Sequence, residues 1–567
     1  MQQAGGGFPL RGEPKPRMHA VTVRAGLPAR MRTQKEVEGR TRRRTPSQTM
    51  RTIVTKEPVY GRKGMVAAKH PLAAAAGVQM LRRGGNAVDA AVATALAVGV
   101  VEPWMNGLGG CGYLVLRQAD GATHVVEYGV RAPMAARPDM FPLEGPPSAD
   151  AFFPWPSVRG DVNAQGPLSV AVPGTPAGLA LAAERFGRLP LRELAQPAIA
   201  LAREGFPVDW YSGSIIARDW RNISRYPATA AVFGSEGFPL GPGLGLETPR
   251  IRNPRLAETL AAYAEGGPRA FYEGEAAADI VATVRGGGGI LTREDMAAYR
   301  ARLHSPAPAM TYRGAAVAMS PALTGGPTLA AMLAALAEAL DAGRMSAVDP
   351  ALWVAFGRAA VPAFRTRFTE YGDREGPGAS TTTLSTVDAE GNAVALTQTL
   401  LAGFGSRVLA PGCGVLLNNG MNWFDPEPGK PNSVAGGRRP LSNMAPIVAS
   451  GPDLGVAAIG SSGGRRIMCT NANILCRMVD QRMGAQAAVA APRADFSGVP
   501  AIVDDRLGED VRAALEAAGI RARLAPESYA PKLFASPCVV RIAPDGTREG
   551  GVDPYHWNAC AMAEEEG

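Results

Sequence analysis

The chain has 567 residues, 46% of them hydrophobic and 19% charged, which excludes a collagen-like, coiled-coil or low-complexity protein and leaves a globular one with a large core. Its net charge of +8 does not mark a nucleic-acid binder: of 59 basic and 51 acidic residues, 11 and 3 fall within residues 1–49, so the rest carries 48 of each. The longest apolar run, Ala87 to Trp104, includes Asp89 and Glu102, is too short to span a membrane, and is expected as a buried helix.

Residues 1–49 show almost no apolar periodicity and are expected to be a disordered basic extension or a spurious start, with Met50 as an alternative one. No charged segment followed by an apolar one precedes the body, so the expected location is cytoplasmic. From Gly64 to about Val100, "HPLAAAAGVQMLRRGGNAVDAAVATALAVGV" predicts two helices, with Gly84-Gly85-Asn86 ending the first and capping the second. "GYLVLRQADGATHVVEYG" alternates around Asp120-Gly121 and predicts a hairpin. Residues 144–166 and 234–254 are Pro/Gly-rich and read as loops; 174–205 and 255–300 read as helical, with a capping signature at Thr292 and Asp295. Past residue 380 alternating strands dominate, then comes "VAAIGSSGGRRIMCTNANILCRMV" and a final αβ stretch. Helices mixed with antiparallel strands imply an α+β fold of stacked layers.

The six cysteines (Cys111, Cys413, Cys469, Cys476, Cys538, Cys560) lack CxxC spacing, and the five histidines form no metal-binding pattern. Neither a disulfide framework, a metal nor another cofactor is therefore expected.

Two stretches are candidates for chemistry. "STTTLSTVDAEGNAVALTQTLL", residues 380–401, reads as a β-hairpin. If Ala389-Glu390-Gly391 is a three-residue loop with a left-handed glycine, Asp388 pairs with Asn392 and Thr381 falls opposite Thr399. Opposed Cβ atoms lie roughly 4.5–5.5 Å apart, so one hydroxyl could orient the other; an ordinary edge-strand entry is the competing reading. The second stretch, Gly460-Ser461-Ser462-Gly463-Gly464, follows an apolar strand and precedes a helix. It fits a nucleophile elbow with Ser462 as nucleophile and His556 as a downstream base. It equally fits an oxyanion hole built from glycine N–H groups, or a turn without chemistry. Local pattern leaves all three open.

Longer motifs carry more information. "GGNAVDAAVATALAVGVVEP", "LGGCGYLVL", "VAVPGTPAGLALAAERFGRLPLRELAQPAIALAREGF", "GGILTREDMAAYRA", "LLNNGMNWFDPEPGKPN", "RRPLSNMAP" and "IGSSGGRRI" occur in order between about Gly64 and Pro554. With them the chain resembles the γ-glutamyltransferases, self-processing N-terminal-nucleophile (Ntn) hydrolases. The resemblance implies a four-layer αββα sandwich, formed by a large subunit (50–380) and a small subunit (381–567) cut from one precursor, with a dimer of such heterodimers as the assembly to look for. It implies cleavage between Ser380 and Thr381, at the start of a T-T-x-x-S-x-V-D pattern in which Thr383 stands where His is usual. Thr381 is then the nucleophile and its freed α-amine the base, Thr399 orients its hydroxyl, and the Gly463 and Gly464 N–H groups hold the oxyanion.

The departures bear on the substrate. The family's head-binding Arg, in an R-x-x-A-P context, is replaced by Gly129, with Arg131 two residues on. The Asn two residues after the orienting Thr is Leu401. In the lid segment Gly420 and Trp423 replace a polar residue and an Asp, and the usual Ser-Ser pair is Ser442-Asn443. The leading expectation is an Ntn amidohydrolase acting on a small-molecule amide with a non-glutamyl acyl group, resembling oxamate amidohydrolase and the cephalosporin acylases; Trp423 would suit a smaller or flatter acyl group. A true γ-glutamyltransferase or glutathione hydrolase using Arg131 and Asn443 is the alternative, and an unprocessed binding or scaffold protein is the second.

Overall fold

The computed structural model describes residues 53–146, 155–243, 248–339, 346, 348–373 and 381–565. The basic extension and Ser380 lie outside them.

Helix ends follow local chemistry. Pro71–Arg82 starts behind His70, whose Nδ1 accepts the Leu72 N–H at 3.2 Å, and Pro71 occupies a first-turn position where its missing donor costs nothing. Asn86 caps Ala87–Val101 in a reciprocal box with Asp89, and every residue of that helix is buried. Thr292 and Asp295 form the expected box ahead of Arg293–Ala297. The segments 144–166 and 234–254, expected as loops, carry two- and three-residue strands in their described parts, Leu143–Gly145 with Ser157–Val158 and Gly234–Ser235 with Phe238–Pro239. Ladders this short leave no periodicity to read.

Two seven-stranded sheets form the centre. One runs Arg302–His304, Thr123–Tyr128, Cys111–Arg117, Ala393–Thr399, Thr382–Val387, Met65–Ala68, Cys560–Ala563. The other runs Val59–Gly61, Arg548–Val552, Ser536–Ile542, Gly455–Ser462, Ile447–Gly451, Ala315–Met319, Ala309–Tyr312. Their facing sides meet in a core of small and branched residues, including Ala67, Val115, Ala395, Val448, Ala458 and Val540. The outer face of the first sheet, with Leu114, Val126, Leu384 and Leu396, is covered by helices that include Ala87–Val101 and Pro254–Tyr272. The outer face of the second, with Val317, Ile447, Ile459 and Val539, packs on Gly326–Ala339, Pro350–Thr369 and Arg466–Asp480. The order is α, β, β, α.

Both sheets draw strands from either side of position 380. Thr382–Val387 lies between Met65–Ala68 and Ala393–Thr399, and Ala315–Met319 pairs with Ile447–Gly451. Residues from Pro58 onward form one compact unit, so a cut at 380/381 would divide the chain without dividing the core. Among the described residues no helix is long and apolar enough to cross a membrane.

Candidate active site

The hairpin register is the one the turn chemistry predicts. Thr382 pairs with Gln398 and Val387 with Ala393, and one further step of the ladder sets Thr381 against Thr399. Gly391 adopts φ 103°, and Asp388 Oδ1 accepts the N–H groups of Glu390, Gly391 and Asn392 at 2.9–3.0 Å. Asp388 Oδ2 accepts from the Ala87 N–H at 2.9 Å, fastening the hairpin to the start of the central helix. Thr399 Oγ1 accepts the Leu401 N–H at 2.8 Å. Leu401 sits at φ 88°, in the left-handed region that disfavours branched side chains. Thr383 turns to the facing sheet, its hydroxyl donating to the Leu396 carbonyl at 2.9 Å; a Cβ on Gly460 would come within 2.2 Å of that hydroxyl. A small side chain at 383 matches this close approach.

The facing strand Gly455–Ser462 ends in Gly463 at φ 149° and Gly464 at φ 62°, directly before the helix Arg466–Asp480. Two successive glycine conformations at a strand-to-helix turn present adjacent backbone N–H groups, as an oxyanion site requires. A Cβ on Gly463 would lie 2.7 Å from the Ala535 backbone. Ser462 is not placed against His556 as an elbow nucleophile would be against its base. Its hydroxyl donates to the Ser536 carbonyl at 3.3 Å, whereas His556 Nε2 lies 3.2 Å from Glu102 Oε1 and 3.3 Å from the Tyr211 hydroxyl.

Several buried charged groups at this end of the sheets were not among the expected site residues. Lys69 Nζ crosses between the sheets to donate to the Ser536 carbonyl at 2.7 Å and its hydroxyl at 2.5 Å, and burial pushes its pKa down. Glu102 Oε2 accepts the Thr382 hydroxyl at 2.6 Å. Arg367 Nε pairs with Asp373 Oδ2 at 2.7 Å, and Arg465, following the Gly-Gly turn, pairs with Asp373 Oδ1 at 2.9 Å. Arg439 Nη1 donates to the Gly129 carbonyl at 2.8 Å while its Nε lies 3.5 Å from Glu127. Glu102 showed in the sequence only as an acid inside an apolar run, Lys69 and Arg367 had no local sign, and Arg439 and Arg465 lay within matched motifs with nothing to mark a separate role.

Comparison with known proteins shows the family and the fold. The family model for gamma-glutamyltranspeptidase matches residues 73–380 and 358–562. The chain belongs to the gamma-glutamyltranspeptidase family. The acylase ACY 1 proenzyme of Pseudomonas sp. (strain V22) is 34% identical over 531 residues, covering 87% of this chain and 92% of that protein. The glutathione hydrolase proenzyme of Escherichia coli (strain K12) is 30% identical over 551 residues, covering 88% and 91%. The crystal structure of cephalosporin acylase from Bacillus halodurans superposes with a TM-score of 0.75 at 27% identity, covering 93% of this chain and 99% of that one. The chain is thus an Ntn hydrolase of the gamma-glutamyltranspeptidase family.

The positions expected to meet the substrate are placed as follows. At Gly129 a Cβ would meet the Tyr113 hydroxyl at 2.8 Å, and the Gly129 carbonyl accepts from both Arg439 and the Tyr299 hydroxyl. Arg131 pairs through its backbone with Val172, and its guanidinium donates to the Asp295 carbonyl at 3.3 Å. Gly420 is closely packed, with Asn418 Oδ1, Val130 and Ala171 all within 2.9 Å of a Cβ placed there. Trp423 is buried in an apolar cluster with Cys111, Tyr113, Leu401, Met421 and Met444, and this cluster adjoins Thr399 through its ladder partner Cys111. Ser442 Oγ accepts the Met444 N–H, and Asn443 Oδ1 is held by Arg367 at 2.6 Å.

Proposed function

We propose that this chain is a self-processing Ntn amidohydrolase that forms a threonyl acyl-enzyme on Thr381 and prefers acyl groups other than γ-glutamyl. Cleavage before Thr381 frees an α-amine with a reference pKa of about 7.7–8.0, able to act as base near neutrality. Thr381 Oγ attacks the amide carbonyl, and the amine takes its proton and passes it to the departing nitrogen. The Gly463 and Gly464 N–H groups bear the oxyanion, Thr399 orients the attacking hydroxyl, and water then releases the acyl group. The opposed register of Thr381 and Thr399 supports this reading, as do the Gly-Gly turn and the proenzyme names of the Pseudomonas and Escherichia coli relatives.

The observation that carries the specificity is the filled space at Gly129. Tyr113 and Arg439 pack where a head-binding arginine would stand, and Arg439 is already neutralised by Glu127. An α-ammonium or carboxylate entering here would lose water without gaining a free partner, and a buried charge left uncompensated costs about 3–5 kcal/mol. At 1.4 kcal/mol per decade, that is at least roughly 100-fold in kcat/KM. Cleaved enzyme is therefore expected to hydrolyse an uncharged short-chain acyl anilide best, and to treat a γ-glutamyl anilide no better than its glutaryl analogue. The measurement is kcat/KM for these three anilides and for glutathione, in wild type and in Arg131→Ala. Strong preference for the complete glutamyl head, lost in Arg131→Ala, would restore a conventional γ-glutamyltransferase.

A further inference from the structure

Glu102 follows the helix Ala87–Val101 as its C-terminal cap and is 3% exposed. Both of its oxygens are engaged: Oε2 accepts the Thr382 hydroxyl at 2.6 Å, and Oε1 lies 3.2 Å from His556 Nε2. Side chains alternate across a strand, so the Thr382 hydroxyl leaves the sheet on the helix side while Thr381 and Thr383 face the other sheet. The contact therefore reaches the residue next to the proposed nucleophile from behind. A freed chain end has no covalent neighbour on one side and frays unless it is tied down, and the ladder that would hold it begins at Thr382.

We propose that Glu102 is a positioning residue for the acyl-transfer centre: it holds Thr382, and its bond with His556 fixes the carboxylate, so that the Thr381 hydroxyl and amine keep their attack geometry after cleavage. The inference rests on Thr381 being the N-terminal nucleophile. His556 is itself braced by the Tyr211 hydroxyl at 3.3 Å and by that ring at 5.1 Å between centroids. The clamp thus joins the strand Thr382–Val387, the helix Ala87–Val101, the helix Trp210–Ile223 and the segment before Cys560–Ala563.

The clamp also has a pH dependence. Burial raises the pKa of Glu102 to about 7, against the lowering influence of the Thr382 hydroxyl and Lys69. The groups facing it are Lys69, His556 and Tyr211, and Lys69 in turn faces Asp553 and Lys532. Below that pH Glu102 gains a proton and loses acceptor capacity for Thr382 and His556. The Thr381 amine, with a reference pKa of about 7.7–8.0, must be neutral as well. Two protons are then lost over neighbouring ranges, and the acid limb of kcat/KM is steeper than one proton predicts.

The test uses cleaved wild type, Glu102→Gln, Thr382→Val and the double variant, with Thr381→Ala as the control on the nucleophile. The substrate is whichever of the γ-glutamyl, glutaryl or short-chain acyl anilides wild type turns over fastest. Each single variant is expected to lower kcat by about 10- to 100-fold through misplaced attack geometry, with KM little changed. The double variant should lose no more than the worse single one, because both act on the same contact, Gln keeping a neutral acceptor oxygen but losing the carboxylate charge. Glu102→Gln should also reduce the acid limb to a single proton. Wild-type kcat in cleaved Glu102→Gln would overturn the inference. So would additive losses with an unaltered acid limb, which would reduce the contact to a structural one. A Thr381→Ala chain that still cleaves and turns over would instead overturn the nucleophile, a separately visible failure.

Discussion

Thr381→Ala is expected to give one uncleaved chain with no amide hydrolysis, and wild type is expected to give a C-terminal fragment beginning Thr-Thr-Thr. The substitution removes the hydroxyl that would attack the Ser380 carbonyl, and without cleavage the α-amine stays locked in a peptide bond and cannot serve as base. Both steps fail together, so this is the largest effect expected of any single change. Intact mass and N-terminal sequencing of purified protein check it. The fold should persist, because strands on both sides of position 380 already share their sheets in the continuous chain, and the melting transition provides that control. A Thr381→Ala chain that still splits at the same bond would assign the nucleophile elsewhere.

Gly463→Ala is expected to leave cleaved protein with turnover reduced by about 10²- to 10³-fold, the usual loss of one oxyanion donor. The added Cβ would lie 2.7 Å from the Ala535 backbone, and the residue would be held at φ 149°, where alanine is strained. The turn must move, and the N–H groups of 463 and 464 move with it. Ser462→Ala, one residue earlier, removes one hydrogen bond to the Ser536 carbonyl, worth about 1 kcal/mol, and should be close to silent. Single-turnover rates on the cleaved fraction separate the two. A cleaved but inactive Ser462→Ala enzyme would revive a serine nucleophile.

Parts of this site were legible in the sequence for a definite reason. The Thr381/Thr399 register follows from a three-residue loop closed by Gly391 and Asp388, all within twenty residues. The Gly463-Gly464 turn, the Asn86 cap and the Thr292–Asp295 box are likewise local. Hydrogen bonds that close over a few residues are dictated by which of those residues can bend, cap or accept. The matched family motifs extended this to the αββα layering, which no single segment specifies.

Other parts were decided by the tertiary structure. Nothing near Gly129 announces that Arg439, some three hundred positions later, donates to its carbonyl, nor that Arg131 is drawn to Asp295. Lys69 meets Ser536, and Glu102 meets Thr382 and His556, because the sheet orders bring their strand and helix ends to one edge. By itself the sequence determined the turns, caps and strand register that carry Thr381, Thr399 and the glycine pair, since their partners lie within reach of a short loop. Which buried charges surround these residues, and which cations near Gly129 are already paired, depended on non-local packing, because a side chain's charge is neutralised by whatever the fold places within a few ångströms of it.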